Sequence, residues 1–182
     1  MTSKLILLLL LNTAPTEDQQ NINFNEAYCL AQAIYFEARN EDTNGQIAVA
    51  YATLNRVKDP RFPKTVCSVV KQASYSSKGQ KLQCAFSWYC TTSAGNVPVR
   101  NKKGELNAVI AQQFKASCLI AIAVLAGKTE DNTNGATHFH NPSISRPSWS
   151  KTMIKTARIG HHDFYRNRTL LSLLTTQTTI AL

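Results

Sequence analysis

The 182-residue sequence lacks most of the short signatures that announce a reaction. It contains no GxGxxG, no Walker loop and no GxSxG elbow, so nucleotide-dependent chemistry and an ordinary serine hydrolase have no support. It has no HExxH spacing and no CxxC pair, and neither a zinc ribbon nor a thioredoxin-like centre is indicated. No internal repeat and no run of five like charges occur, which disfavours a repeat array and a basic nucleic-acid arm. Acidic residues are scarce: 11 Asp and Glu against 20 Lys and Arg leave a formal net charge of +9. That balance favours an anionic partner such as nucleic acid, an acidic membrane surface or an acidic cell-wall polymer. The apolar run 5–11 after Lys4 is too short to span a bilayer. It looks like a minimal export signal, although Pro15 directly after Ala14 makes a poor cleavage site.

What is present bounds the fold. A chain of this length with 43% hydrophobic residues can bury one sizeable core, so a single globular domain is expected. Residues 1–14 read as a signal or anchor segment, 15–24 as a polar linker, 25–168 as the folded domain and 169–182 as a poorly ordered tail. Asn25 is placed to cap a helix whose apolar positions Ala27, Leu30, Ala31 and Ile34 keep helical spacing. A second helix starts after Thr43 or Asn44 and carries Ile47, Ala50, Tyr51, Leu54 and Val57 on one face, until "DPRFP" breaks it. A short third helix fits 65–72, followed by a polar loop over 74–81, an extended or turn segment over 83–90 and a basic loop over 91–104. The longest helix is expected over 105–126, closed by Gly127, and its apolar second half puts it at the centre of the core. Short extended pieces follow at 136–141 and 155–165.

Of the five cysteines, Cys29 and Cys118 sit in apolar helical patterns and read as core thiols. Cys67, Cys84 and Cys90 flank a polar loop, where one bridge fits an oxidising compartment and the pairing stays open.

Three features bear on chemistry. Glu37 continues the apolar stripe three residues beyond Ile34, and a carboxyl partly withdrawn from water is pushed towards the pKa of a useful general acid. The alternative is a charge near a helix end, paired with Arg39 or Arg56. His138 and His140, two apart, share one face of a strand, whereas His161 and His162 point to opposite faces. They could line a polar cleft, or join Glu37 or Asp163 around a zinc ion. The rings of "FSWY" at 86–89, if exposed, could stack on sugars or bases, although such clusters more often form core.

Taken together, "YFEARNED", "NGQIAVAYATLNRV", "QCAFSW", "GATHFHN" and "TARIGHHDFY", in this order, closely resemble the cell-wall hydrolase family typified by the spore-cortex-lytic enzyme SleB. The resemblance covers about 27–166. It implies an α+β, mainly helical, lysozyme-like single domain that cleaves peptidoglycan glycan strands, with no cofactor and no metal. It transfers the acid/base role to Glu37. It makes Glu41, Ser87, Trp88, His138, His140, His162 and Tyr165 candidates for holding substrate. The expected partner is peptidoglycan, with no nucleic acid, no stable membrane insertion and a monomeric chain. The expected location is the periplasm or cell wall, or release from an infected bacterium if the protein is phage-encoded. Asn40, where the family usually has Gly, and Asp163, at a position more often apolar, depart from the pattern; Asp163 reads as a surface substitution.

None of Glu41, Asp42, Asp59, Glu105, Glu130 or Asp131 is an obvious nucleophile, which favours a one-glutamate mechanism, and the resemblance points the same way, to a lytic transglycosylase. The rivals are hydrolysis assisted by Glu41, a zinc amidase using His138, His140 and His161 or His162, and a non-catalytic basic module binding glycan through Trp88 and Tyr89.

Overall fold

The computed structural model describes residues 22–79, 81–91 and 96–168. The segment expected over 1–14, most of the 15–24 linker and the tail from 169 lie outside the described residues.

Helix α1 (Phe24–Ala38) begins earlier than expected because Asn23, and not Asn25, is its cap: the Asn23 side chain accepts from the backbone N–H groups of Asn25 at 3.0 Å and Glu26 at 3.3 Å. Helix α2 (Thr43–Lys58) is capped by Asp42, which accepts from Gly45 N–H at 2.8 Å, and it ends with Arg56 and Lys58 where cations suit the helix dipole. The single turn α3 (Val66–Val70) is capped by Thr65, and the Glu26 carboxylate accepts from its Val66 N–H. The segments expected as a polar loop and an extended piece form an antiparallel hairpin, β1 (Ala73–Tyr75) with β2 (Lys81–Cys84), and then the one-turn helix α4 (Ser87–Thr91). Helix α5 (Ala108–Leu125) follows, with Asn107 as its cap and Gly127 in the left-handed conformation at φ 69° just past its end.

The two extended pieces form the second sheet. Strands β3 (His138–His140), β4 (Ile154–Ile159) and β5 (His162–Arg166) are antiparallel in the order β3-β5-β4, with a short 3-10 turn at Ser148–Lys151 between β3 and β4.

Helix α1, not α5, occupies the centre. It packs on α5, α2 and α3, and Tyr28 and Tyr35 set their edges against Phe114 of α5. Helix α5 docks through Phe114, Cys118, Ala121, Ile122 and Val124 but leaves Val109 67% and Leu119 47% exposed. Its all-round apolarity in sequence therefore overstated its burial. By length and composition it could cross a membrane, but here one face of it is spent on α1. A second, smaller core of Ala38, Ala48, Val49, Ala52, Ala136 and Phe164 joins α1 and α2 to the β3-β5-β4 sheet.

Two disulfides correct the reading of the cysteines. Cys29 is no free core thiol: it is bonded to Cys67 and ties α1 to α3, while Cys84 and Cys90 close the segment carrying α4. Cys118 is the buried free thiol. The first bridge joins residues 38 apart, the second residues 6 apart. Loop-closure entropy grows with the enclosed length, so the longer loop gains more, about 4 kcal/mol against about 2 kcal/mol. Replacing Cys29 and Cys67 by Ala should therefore lower the urea midpoint more than the same change at Cys84 and Cys90, as an equilibrium unfolding series would measure.

Candidate active site

Glu37 lies in the last turn of α1, where its helical phase follows Ile34. It is half-buried and forms part of the wall of a groove of about 510 Å³ between the end of α1, the start of α4 and the β3-β5 edge. Glu41, Ser87, Phe139, His140, Asn141 and His162 line the same groove. Burial raises the Glu37 pKa above that of an ordinary glutamate; the positive charge of Arg56 and a hydrogen bond from the Trp88 side chain oppose that rise without cancelling it. The acid form is thus favoured by desolvation while a cation and an indole N–H stand ready for the carboxylate.

Arg56 is the buried cation behind this site. Only 8% exposed, it donates from Nε to the Thr137 carbonyl at 2.6 Å and lies over the rings of Phe86 and Phe62, at 5.1 and 5.7 Å from their centroids. Burial lowers its pKa to about 10, opposed by Glu37. Its neighbour Asn55 binds Asp131 at 2.8 Å and the Ala136 carbonyl at 3.0 Å. Asp131 in turn accepts from the Thr133 and Gly135 backbone N–H groups. The turn before β3 is therefore fastened to α2, which sets where β3 meets Glu37.

Glu41 is not a free groove carboxylate. Its side chain is 8% exposed; Oε2 accepts from the His161 backbone N–H at 3.1 Å, Oε1 faces His161 Nδ1 at 3.0 Å, and His162 Nδ1 lies 3.7 Å away. The end of α1 is thereby pinned to the β4-β5 turn. Two glycines make room for it: a Cβ on Gly45 would stand 2.7 Å from the Glu41 Cβ, and one on Gly160, at φ 55°, 2.0 Å from Oε2.

Three other candidates lie outside the groove. Trp88 is 7% exposed and packs in the core, stacked on Phe36 at 4.4 Å, so it offers no platform to a sugar and meets the site from behind, through Phe36 and Glu37. Tyr165 is buried behind His140, its hydroxyl 3.2 Å from Nε2 and its ring stacked at 5.4 Å. His138 shares a strand face with His140, and both meet Trp149, but it lines a different cavity. Its pKa falls to about 4, through burial first and then through Arg56 and Arg61, with Asp59 opposing.

The zinc reading loses its ligand set, since among the described residues no three His, Cys, Asp or Glu side chains gather to hold a metal ion. Asp163 is corrected as well: it is no surface substitution but a buried carboxylate, 2.7 Å from Lys155 Nζ and 3.4 Å from Arg158 Nη1. Sequence reading missed Trp149, in an irregular connection, and passed over Phe139 and Asn141 although both lie inside "HFHN", whose histidines alone were singled out.

A model of the cell wall hydrolase family matches residues 40–165. The chain belongs to that family. Glu37 falls just before the matched stretch. Among relatives, this cell wall hydrolase is 28% identical over 140 residues to the spore cortex-lytic enzymes of Halalkalibacterium halodurans and Bacillus cereus, matching 77% of this chain but 34% and 44% of theirs. It thus spans less than half the length of those proteins. Among solved structures it resembles the catalytic domain of the germination-specific lytic transglycosylase SleB from Bacillus anthracis. That likeness has TM-score 0.55 and 26% identity, and covers 84% of this chain and all of that one. The SleB catalytic domain from Bacillus cereus matches with TM-score 0.52 and 26% identity, over 85% of this chain and all of that one. The α+β, mainly helical, lysozyme-like class expected from the sequence is borne out by these likenesses.

Two measurements test this geometry. Gly160→Ala must relieve both a contact with Glu41 and a left-handed backbone, whereas Gly79→Ala, at φ 75° with nothing within 4 Å, carries only the backbone cost. Thermal denaturation should show Gly160→Ala the more damaging, by about 1 kcal/mol or more. His138 has a folded pKa below its unfolded value, so the stability from its neutral ring is complete above about pH 6.5 and is lost as pH falls towards about 4. The melting temperature should drop across that window, and His138→Gln should flatten part of the drop.

Proposed function

We propose that this cell wall hydrolase degrades peptidoglycan by cutting the glycan strand between N-acetylmuramic acid and N-acetylglucosamine, as a lytic transglycosylase with Glu37 as its acid and base. The observation that carries this reading is the state of Glu37: a half-buried carboxyl on a groove wall, with its acid form favoured by burial. In the first step the Glu37 carboxylic acid gives its proton to the glycosidic oxygen as the bond to the muramoyl anomeric carbon breaks. The resulting carboxylate, stabilised by Arg56 and the Trp88 side chain, then removes the proton from the muramoyl C6 hydroxyl, whose oxygen closes on the anomeric carbon. An anhydro sugar leaves, Glu37 is again protonated and no water is consumed.

The engagement of Glu41 supports a single acting carboxylate. Both of its oxygens face His161, so it is poorly disposed to attack a sugar or to prime a water. Ser87, His140, His162 and Asn141 are positioned to meet hydroxyl and acetamido groups along the groove. Tyr165 is assigned to steadying His140. The family's cell-wall description, the relatives' cortex-lytic names and the basic charge suit a protein working outside the cytoplasm on a polymer rich in carboxylates.

Glu37→Gln keeps the shape and removes the titrating proton. It should cost at least about a hundredfold in the rate of turbidity loss of a cell-wall suspension while leaving the melting temperature near that of the parent. Mass analysis of the released muropeptides should find anhydro ends; reducing ends alone would replace transglycosylation by hydrolysis with Glu41 as the helper.

A further inference from the structure

Beneath the groove, on the other side of Phe139, lies a second cavity of similar size, about 510 Å³, that the cleavage reaction does not use. Its wall is unusual in one respect: it includes the guanidinium of Arg56, a buried cation, together with Gln72, Gln83, His138 and Trp149. Arg56 has five N–H donors, and Nε alone is spent on Thr137. Phe62 and Phe86 cover its faces, which leaves the edge of the fork for the cavity. The anionic groups within its reach are few. Glu37 must be protonated to act, and the Asp59 carboxylate is paired with Arg61. The enzyme therefore holds a desolvated cation beside an acid whose charged form burial disfavours, and a ligand anion in the cavity would add to its compensation. His138, kept neutral, adds no second charge, and the glutamines offer amide groups of either polarity.

We propose that this cavity is a subsite for a carboxylate on the muramoyl arm of the glycan strand, received by the Arg56 guanidinium. This rests on the glycan-cleaving reading of the groove. A planar fork in the wall of a cavity lined by neutral polar and aromatic side chains suits a planar carboxylate. Phe139 lines both the cavity and the groove, so a single side chain separates them, and the arm of a sugar seated at Glu37 has that ring to pass to reach the fork. Occupancy then acts on the chemistry. A bound carboxylate offsets the field of Arg56 at Glu37 and keeps Glu37 protonated, so the acid is armed by the substrate it is to cleave. The other charged or titratable groups around Glu37 do not supply this effect: Glu41 is engaged by His161, and Arg39 is turned to the Tyr35 ring and carbonyl. His140 is bonded to Tyr165, and burial lowers the His162 pKa, with Glu41 opposing.

The test changes the substrate and leaves the protein intact. Peptidoglycan whose free carboxyls are amidated by a carbodiimide should show KM raised about tenfold at constant high salt. The alkaline limb of its kcat profile should lie at lower pH than with untreated peptidoglycan. An unchanged limb would overturn the proposal even if KM rose, because long-range attraction to a basic protein raises KM alone. Binding is read separately in Glu37→Gln protein, by following the His138 ring in NMR titrations with N-acetylmuramic acid and with N-acetylglucosamine. A shift with the acid and none with N-acetylglucosamine supports the subsite; no shift with the acid and none with a muropeptide that carries its stem peptide sinks it. Glycan stripped of stem peptides, compared with intact strands, tells whether the lactyl or a stem-peptide carboxylate is the group received. Since the titration needs no turnover, it stands even if product analysis overturns transglycosylation. Normal lysis without carboxylate discrimination would sink the subsite alone.

Discussion

Arg56 is the side chain on which the parts of this molecule meet. It leaves the last turn of α2, is closed over by Phe62 and Phe86, and holds the Thr137 carbonyl at the entrance to β3. A cation this deep is tolerated only because aromatic faces, a carbonyl and a nearby carboxyl surround it. Those neighbours come from four separate stretches of chain, so its placement fixes the relation between the helices, the α4 segment and the sheet. The same charge bears on Glu37, whose pKa burial raises against the pull of Arg56. Structure and reactivity share one constraint here: moving the guanidinium would shift both the sheet and the acid.

How far this was legible in the sequence depends on whether a residue's role is local. The phase of Glu37 was readable, because three residues past Ile34 on a helix is a short-range statement. So were the end of α5 at Gly127 and the extended character of β3 and of 155–165, although that second piece folds back at Gly160 into two strands, β4 and β5. What failed was set by partners far along the chain. Cys29 looked like a core thiol because nothing nearby announces Cys67, and Asp163 looked like a surface residue because its cations, Lys155 and Arg158, become neighbours only across a strand pair. Trp88 seemed available to a sugar until α4 turned it into the core against Phe36. The helix cap moved from Asn25 to Asn23 because both are asparagines of equal capping power, and it is the Asn23 side chain that meets the first free N–H groups, those of Asn25 and Glu26.

Glu41 shows how a residue can belong to a site without acting in it. From sequence it was one of several acids beside Glu37; in the structure it is a tether, with its carboxylate on His161 and its stem fitted between two glycines. That use suits the departure at Asn40 just before it. The helix ends, the chain turns, and Glu41 is carried back onto the β4-β5 turn.

The two hydrophobic cores bear on how the groove comes into being. The larger is helical and centred on α1; the smaller fastens the three-stranded sheet to α1 and α2. Glu37 and Ser87 come from the helical side and Phe139, His140 and His162 from the sheet side. Neither half contains a groove by itself. In the language of folding, the cleft is a property of docking: each half can gain its own regular structure from contacts close in sequence, and the cleft exists only once the last, long-range contacts close.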